Sequence, residues 1–327
     1  MANFIHMKYT HIFLFSGLLI FACITATAQT SKEDFKVVDD YVKTLGKLDT
    51  LNMGTISQVV TKKFPDPKDK ARAIFDWIAY NISFDLKAGR ESDNEKNGSD
   101  IVLKTRKANA AGYAALFQDM CSVQKIRCLT VDGYAKYSTE QINEKPDGFN
   151  HTWAVVQLGV SPDKWYYVDP AWGTGYTDDK LKVFTKAYND DYFFADRIIF
   201  NSQHYPDNGA WQLGPGPKSL SGFLSQPLVK SAAYEYRLTK FLPNDGLIKA
   251  KLGKAVVFNL KLNTNANIDI VALEIGEGKK KKTKTVDHSF SKGSMIFSYK
   301  FDDEDIYPVT ILINNKPLLA YLVDVSE

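Results

Sequence analysis

Few residues in this chain could do chemistry. It holds 5 histidines and 3 cysteines in 327 residues. A thiol can serve as nucleophile or metal ligand, an imidazole can move a proton, and a carboxylate can hold that imidazole in place. Three cysteines are too few for a disulfide scaffold or for a Cys-rich zinc or iron–sulfur cluster. His204 and His288 lack partners at metal-ligand spacing, which argues against a zinc site, and no cofactor is expected. Three stretches in the middle of the chain carry the remaining candidates. Arg106-Lys-Ala-Asn-Ala-Ala-Gly-Tyr-Ala-Ala-Leu-Phe117 opens a helix, Asn150-His-Thr-Trp-Ala-Val-Val156 begins a strand, and Trp165-Tyr-Tyr-Val-Asp-Pro-Ala-Trp-Gly173 ends another. Read singly, each has a structural explanation. A lone histidine is more often core than catalytic, Asp169-Pro170 can simply end a strand, and Asn109 caps its helix. Trp153, Trp165 and Trp172 are better core residues than ligand platforms.

The elements that must position these residues fall into two architectures. From Ser31 to about Ser219 the pattern is mixed. Phe35, Val38, Tyr41, Val42 and Leu45 recur at helical spacing, as do Ile74, Trp77 and Ile78 within 71–80, where Asp66-Pro67 suits a helix start. Asn81 to Asp85 turns extended, and 91–100 is polar and loop-like. A third helix spans 110–123, with Tyr113, Leu116, Phe117 and Met120 as its buried stripe. Strands follow at 127–137, 151–158 and 165–169. Helices first and consecutive strands later predict an α+β domain with an antiparallel sheet, over 29–235. After Pro215-Gly-Pro217 only short alternating runs remain, at 256–262, 268–275, 295–301, 309–313 and 318–325. These predict a small all-β sandwich of the Ig-like kind over 240–327. Lys279 to Lys282 read as a solvated hairpin tip.

The first 28 residues have the form of an export signal. Lys8 precedes an apolar stretch from Ile12 to Ile24 that is too short to span a bilayer, and Ala26-Thr27-Ala28 suits a cleavage site. The protein is therefore expected in the periplasm or secreted, with no transmembrane segment in the mature chain. A lipid anchor on Cys23 is the weaker alternative, because Phe21 fits a lipidation box poorly. A net charge of +3 argues against nucleic acid as a partner.

Taken together and in this order, the three central stretches resemble the transglutaminase-like superfamily, a papain-related group of Cys-His-Asp enzymes. The resemblance covers roughly residues 70–230. Phe193-Phe194, Asn201-Ser-Gln-His-Tyr-Pro206, Trp211-Gln-Leu213 and Ser219-Leu-Ser-Gly-Phe223 are similar to the downstream region of the kyphoscoliosis-peptidase-like branch. The resemblance implies a nucleophilic cysteine at the amino end of the helix, where unpaired N–H groups and the positive helix end favour a thiolate. It implies that His151 is the family histidine and Asp169 the family aspartate. The cysteine position is Ala110, whose methyl group cannot form an acyl-enzyme. Cys121 lies further along the same helix, about 16 Å away, and Cys128 follows at the helix's far end. The pair, seven residues apart, reads as two small buried apolar residues rather than a disulfide. The implied protein is a pseudoenzyme whose cleft binds a peptide, a protein or a cell-envelope component. Two alternatives stand beside it: a working hydrolase or acyltransferase without a cysteine, and a structural or adhesive envelope protein acting through its β-sandwich.

Overall fold

Hydrophobic spacing sets the first three helices, which gather around α3. The computed structural model describes residues 34–91, 98–159, 164–178 and 181–327, with Met1. The segment expected to be an export signal, Cys23 included, lies outside these residues, Met1 apart. Helix α1 (Lys36–Lys43) buries Val38, Tyr41 and Val42. Helix α2 (Met53–Thr61) is capped by Asn52. Helix α3 (Pro67–Asn81) starts four residues before the expected position, because Asp66 caps it and Pro67 pre-sets its first turn. The short strand β1 (Ser83–Phe84) and helix α4 (Leu86–Glu91) follow. Part of the expected polar loop, 92–97, lies outside the described residues. Its end is helical: α5 (Ser99–Thr105) replaces loop with one buried apolar residue, Val102. Strand β2 (Lys107–Ala108) pairs with β1 and leads into α6 (Ala110–Val123), whose bounds match those expected. Asn109 caps α6, accepting from the Gly112 N–H at 3.1 Å.

The sheet that carries the site is antiparallel, as expected, in the order β5-β4-β3-β8. Strand β3 (Arg127–Ala135) stops two residues short of Tyr137, β4 runs His151–Gln157 and β5 Trp165–Val168. After α7 (Pro170–Thr174), the ribbon β6 (Gly175–Thr177) and β7 (Phe184–Lys186), and α8 (Arg197–Gln203), the chain adds β8 (His204–Pro206) beside β3. The two faces of this sheet bury different cores. Ala154 and Val156 pack with the helices, beside Phe117, Cys121 and Trp77. Trp153 and Val155 belong to a second layer with Trp165, Tyr167 and Phe200. Gly133 on β3 is dictated by that second layer. A Cβ there would meet the Tyr205 carbonyl at 2.4 Å and the Trp153 ring at 2.6 Å.

Helix α9 (Leu220–Leu224), strand β9 (Leu228–Val229) and helix α10 (Ala232–Tyr236) connect to the β-rich region. There β10 (Lys240–Leu242), β11 (Leu247–Lys251), β12 (Ala255–Lys261), β13 (Val271–Ile275), β14 (Lys282–Thr285), β15 (His288–Ser291), β16 (Ser294–Lys300), β17 (Ile306–Ile313) and β18 (Lys316–Ser326) form two sheets. One runs β10-β12-β16-β15, the other β11-β18-β17-β13-β14, with β9 pairing antiparallel to β18. Phe258, Leu260, Phe297, Val309, Ile311 and Tyr321 fill the space between them. Lys279 to Lys281 lie on the exposed turn between β13 and β14, as at a hairpin tip, and Lys282 opens β14. Residues Phe35–Glu327 cluster as one unit, because β9 and α10 join the preceding region to β18. Among the described residues no helix is long and apolar enough to cross a membrane.

Candidate functional site

The site is built where three strand ends meet an aspartate. His151 is the first residue of β4 and is buried, opposite Gly133 on β3. Asp169 follows β5 and caps α7, its Oδ1 accepting from the Trp172 N–H at 2.9 Å. Its other oxygen, Oδ2, lies 2.7 Å from His151 Nε2. The same oxygen lies 3.1 Å from Nε2 of His204, the first residue of β8. A carboxylate only accepts, so both Nε2 atoms carry the proton and donate to it. The Nδ1 of His204 lies 3.3 Å from the Phe200 carbonyl, a second acceptor. The shorter, charge-assisted contact fixes the proton on Nε2.

This corrects one expectation from the sequence. His204 has two neighbours of metal-ligating type that its sequence spacing hides: the Asp169 carboxylate, 35 residues away, at 3.1 Å, and the His151 ring, with centroids 5.1 Å apart. His151, Asp169 and His204 also offer ligand atoms within 4.8 Å of one another, the one such group among the described residues. In this arrangement Asp169 Oδ2 receives protons from both rings. A divalent ion would have to displace both hydrogen bonds to bind there.

Aromatic rings wall in the cluster. His204 stacks on Phe200 with centroids 3.9 Å apart and planes at 8°. Trp172 lies 4.5 Å from His204 and 5.3 Å from His151, and Trp153 lies 5.2 Å from His204. Burial therefore pushes the His204 imidazole down to about 4, against the pull of its hydrogen bond to Asp169. Burial works on Asp169 in the opposite sense, but the facing His151 and His204 rings outweigh it and hold the carboxyl well below the usual range. Asp169 is thus an anion at neutral pH and His204 a neutral donor.

The second nitrogen of His151 is occupied. Tyr137 leaves the end of β3, and its hydroxyl lies 3.0 Å from His151 Nδ1. With the ring proton on Nε2, Nδ1 is the acceptor and the phenol donates. Sequence reasoning places Tyr137 inside a strand and so misses it. Two side chains hold it out of the strand. Gln141 Oε1 accepts from the Tyr137 N–H at 2.6 Å, and Asn150 clamps Ala135 through both its backbone groups, at 2.9 and 3.0 Å. The same loop is pinned from behind by Lys136, whose buried ammonium donates to the Phe223 carbonyl at 2.7 Å and to that of Gln226. Burial pushes that amine down to about 7.

Ala110 begins α6, as expected, and is half-buried against the helical core. His151 belongs instead to the second layer, and Trp172 packs against both cores. Cys121 and Cys128 are buried and unbonded. Burial, with Cys128 beside it, pushes the Cys121 thiol well above its ordinary value, so it is no source of thiolate. Trp153 and Trp165 are core residues, at 0% and 8% exposure.

A helix that opens on one side of an antiparallel sheet, with a histidine–aspartate pair at the strand ends, makes this an α+β domain. Residues 54–170 match the model of the transglutaminase-like superfamily. That span contains Ala110, His151 and Asp169 and ends before His204. The kyphoscoliosis peptidases of Mus musculus and Homo sapiens are each 36% identical to the chain over 190 residues, 58% of this chain and 28% of theirs. The Lim and transglutaminase domain protein ltd-1 of Caenorhabditis elegans is 26% identical over 238 residues, 68% of this chain and 32% of that protein. The chain spans less than a third of the length of these relatives. It carries a domain of the transglutaminase-like superfamily and is similar to the kyphoscoliosis-peptidase branch.

Proposed function

We propose that this is an exported transglutaminase-like protein that has lost the thiol step of its superfamily and uses its cleft as a binding surface. The occupant is an extended peptide or a cell-envelope component, and the β-sandwich orients the cleft. One observation carries the reading: Ala110 stands at the amino end of α6 while the His151–Asp169 pair keeps its 2.7 Å hydrogen bond. A methyl group offers no lone pair, so no thioester forms there. Cys121 lies in the helical core, where burial disfavours its thiolate, and Cys128 is buried beside it. A peptide as occupant is supported by the relatives that are named peptidases.

The test is Ala110→Cys. In a surviving site the helix end and the imidazole lower the new thiol's pKa, and iodoacetamide labels residue 110 at least about tenfold faster than Cys121 or Cys128. Equal, slow labelling at all three means a collapsed site and ends the cleft reading. Turnover of peptide or glutamine-amide substrates by the native chain, abolished by His151→Ala, replaces it with a working acyltransferase.

A further inference from the structure

The hydrogen bonds at His151 form a chain that does not include residue 110. Asp169 Oδ2 holds Nε2–H at 2.7 Å, and Nδ1 takes the proton of the Tyr137 hydroxyl at 3.0 Å. Carboxylate, imidazole and hydroxyl stand in the order that activates a hydroxyl for nucleophilic attack. We propose that Tyr137 Oη is a covalent modification site, a nucleophile served by His151 and Asp169 that takes an acyl group from an activated aryl ester. The inference rests on the same site as the proposed function, but it requires neither a cleft ligand nor any property of residue 110.

Three features of the structure support it. Tyr137 is the half-buried member of the cluster, whereas His151, Asp169 and His204 are buried. Asp169 is held ionised by two imidazoles, so the imidazolium that forms when His151 takes a proton has its counter-ion in contact. The hydroxyl is positioned, because Gln141 and Asn150 fix the backbone on either side of the loop that carries it. One competitor faces the phenol proton, the Asn150 carbonyl, at 3.3 Å. Burial and the Asp169 charge hold the phenol well above its ordinary value. The proton therefore leaves in step with attack, to His151, and not by prior ionisation.

The step balances as follows. Tyr137 Oη bonds to the acyl carbon while its proton passes to His151 Nδ1. The bond from that carbon to the aryl oxygen breaks, and the phenolate leaves with the electron pair. The imidazolium then gives its proton to solvent, leaving an aryl ester on Tyr137.

The experiment treats the native chain with p-nitrophenyl acetate at neutral pH, digests it and compares acetylation at Tyr137 and Tyr176 by mass spectrometry. Tyr176 is an internal reference, 63% exposed. A positioned general base speeds reaction by about 10²-fold or more, so Tyr137 should acetylate on that order faster than Tyr176. In His151→Gln the advantage should vanish while Tyr176 is unchanged. Acetylation of Tyr137 no faster than Tyr176 in the native chain overturns the proposal, and needs no variant to fold. Equal labelling of Tyr137 with and without His151 also overturns it. Neither outcome bears on whether the thiol introduced by Ala110→Cys reacts with iodoacetamide, so the two readings fail separately.

Discussion

Replacing His204 by phenylalanine keeps a ring against Phe200 and Trp172 but removes the donor to Asp169 and the only group on β8 that titrates in mild acid. The folded imidazole is pushed to about 4 from 6.5 by burial. A depressed base binds its proton more readily when unfolded, so stability falls as pH drops through the interval between these two values. At pH near 4.5 the linkage is worth about 2 kcal/mol, and at pH 7 almost none. The carboxyl of Asp169, held low, adds its own loss only below the ordinary carboxylate range. Urea unfolding of the native chain and His204→Phe at both pH values isolates the term. The variant should be weaker at pH 7 by about 1–3 kcal/mol, since Asp169 Oδ2 loses one of its two imidazole donors. Between pH 7 and 4.5 the native chain should lose about 2 kcal/mol more than the variant does. Titrating groups outside the His151–Asp169–His204 cluster are common to both proteins and cancel in the difference. Parallel pH profiles would refute the assignment of His204 as a buried, neutral donor.

Two further variants probe how the scaffold is held. Arg72 is 2% exposed and reaches Asp39, Asp76 and Asp190, with Nε 3.1 Å from Asp76. Arg72→Met removes the buried cation that Asp39, Asp76 and Asp190 share and should lower stability by about 3–5 kcal/mol in urea titrations; a loss below about 1 kcal/mol would show that the cluster repacks. Gly133→Ala places a methyl 2.4 Å from the Tyr205 carbonyl. Backbone cannot swing aside, so β8 must part from β3, and the melting temperature should drop by the equivalent of about 1–3 kcal/mol.

The parts of the fold legible in the sequence are those whose side chains repeat. Helix α6 is legible to its ends because its apolar stripe is unbroken and Asn109 caps it. The strand runs of the sandwich are legible because one face of each is buried. Short elements escape. Strand β8 is 3 residues long, too short to show a period, and it carries His204. The segment Asn201 to Pro206 stands out as similar to the downstream region of the kyphoscoliosis-peptidase-like branch, so the signal is present without a role attached. Its role depends on a non-local pairing: Ala135 opposite His204 across the β3–β8 edge. Tyr137 is hidden for a different reason. An aromatic residue two past a strand end continues the strand by propensity, and only the Gln141 and Asn150 hydrogen bonds turn it toward His151.

The same contacts account for the His151–Asp169 pair without any thiol. A buried carboxylate must be hydrogen-bonded on both oxygens or it costs several kcal/mol. Asp169 meets that demand with the Trp172 N–H on one oxygen and His151 with His204 on the other. Loss of any of the three therefore damages the second core layer, whatever the protein does. Ala110 is half-buried at a helix end and carries no such obligation, so its side chain can change with little effect on the fold. An intact His151–Asp169 pair is thus demanded by packing and says little about chemistry by itself. The discriminating residue is Tyr137, which Asp169 does not need and whose hydroxyl nevertheless takes the free nitrogen of His151.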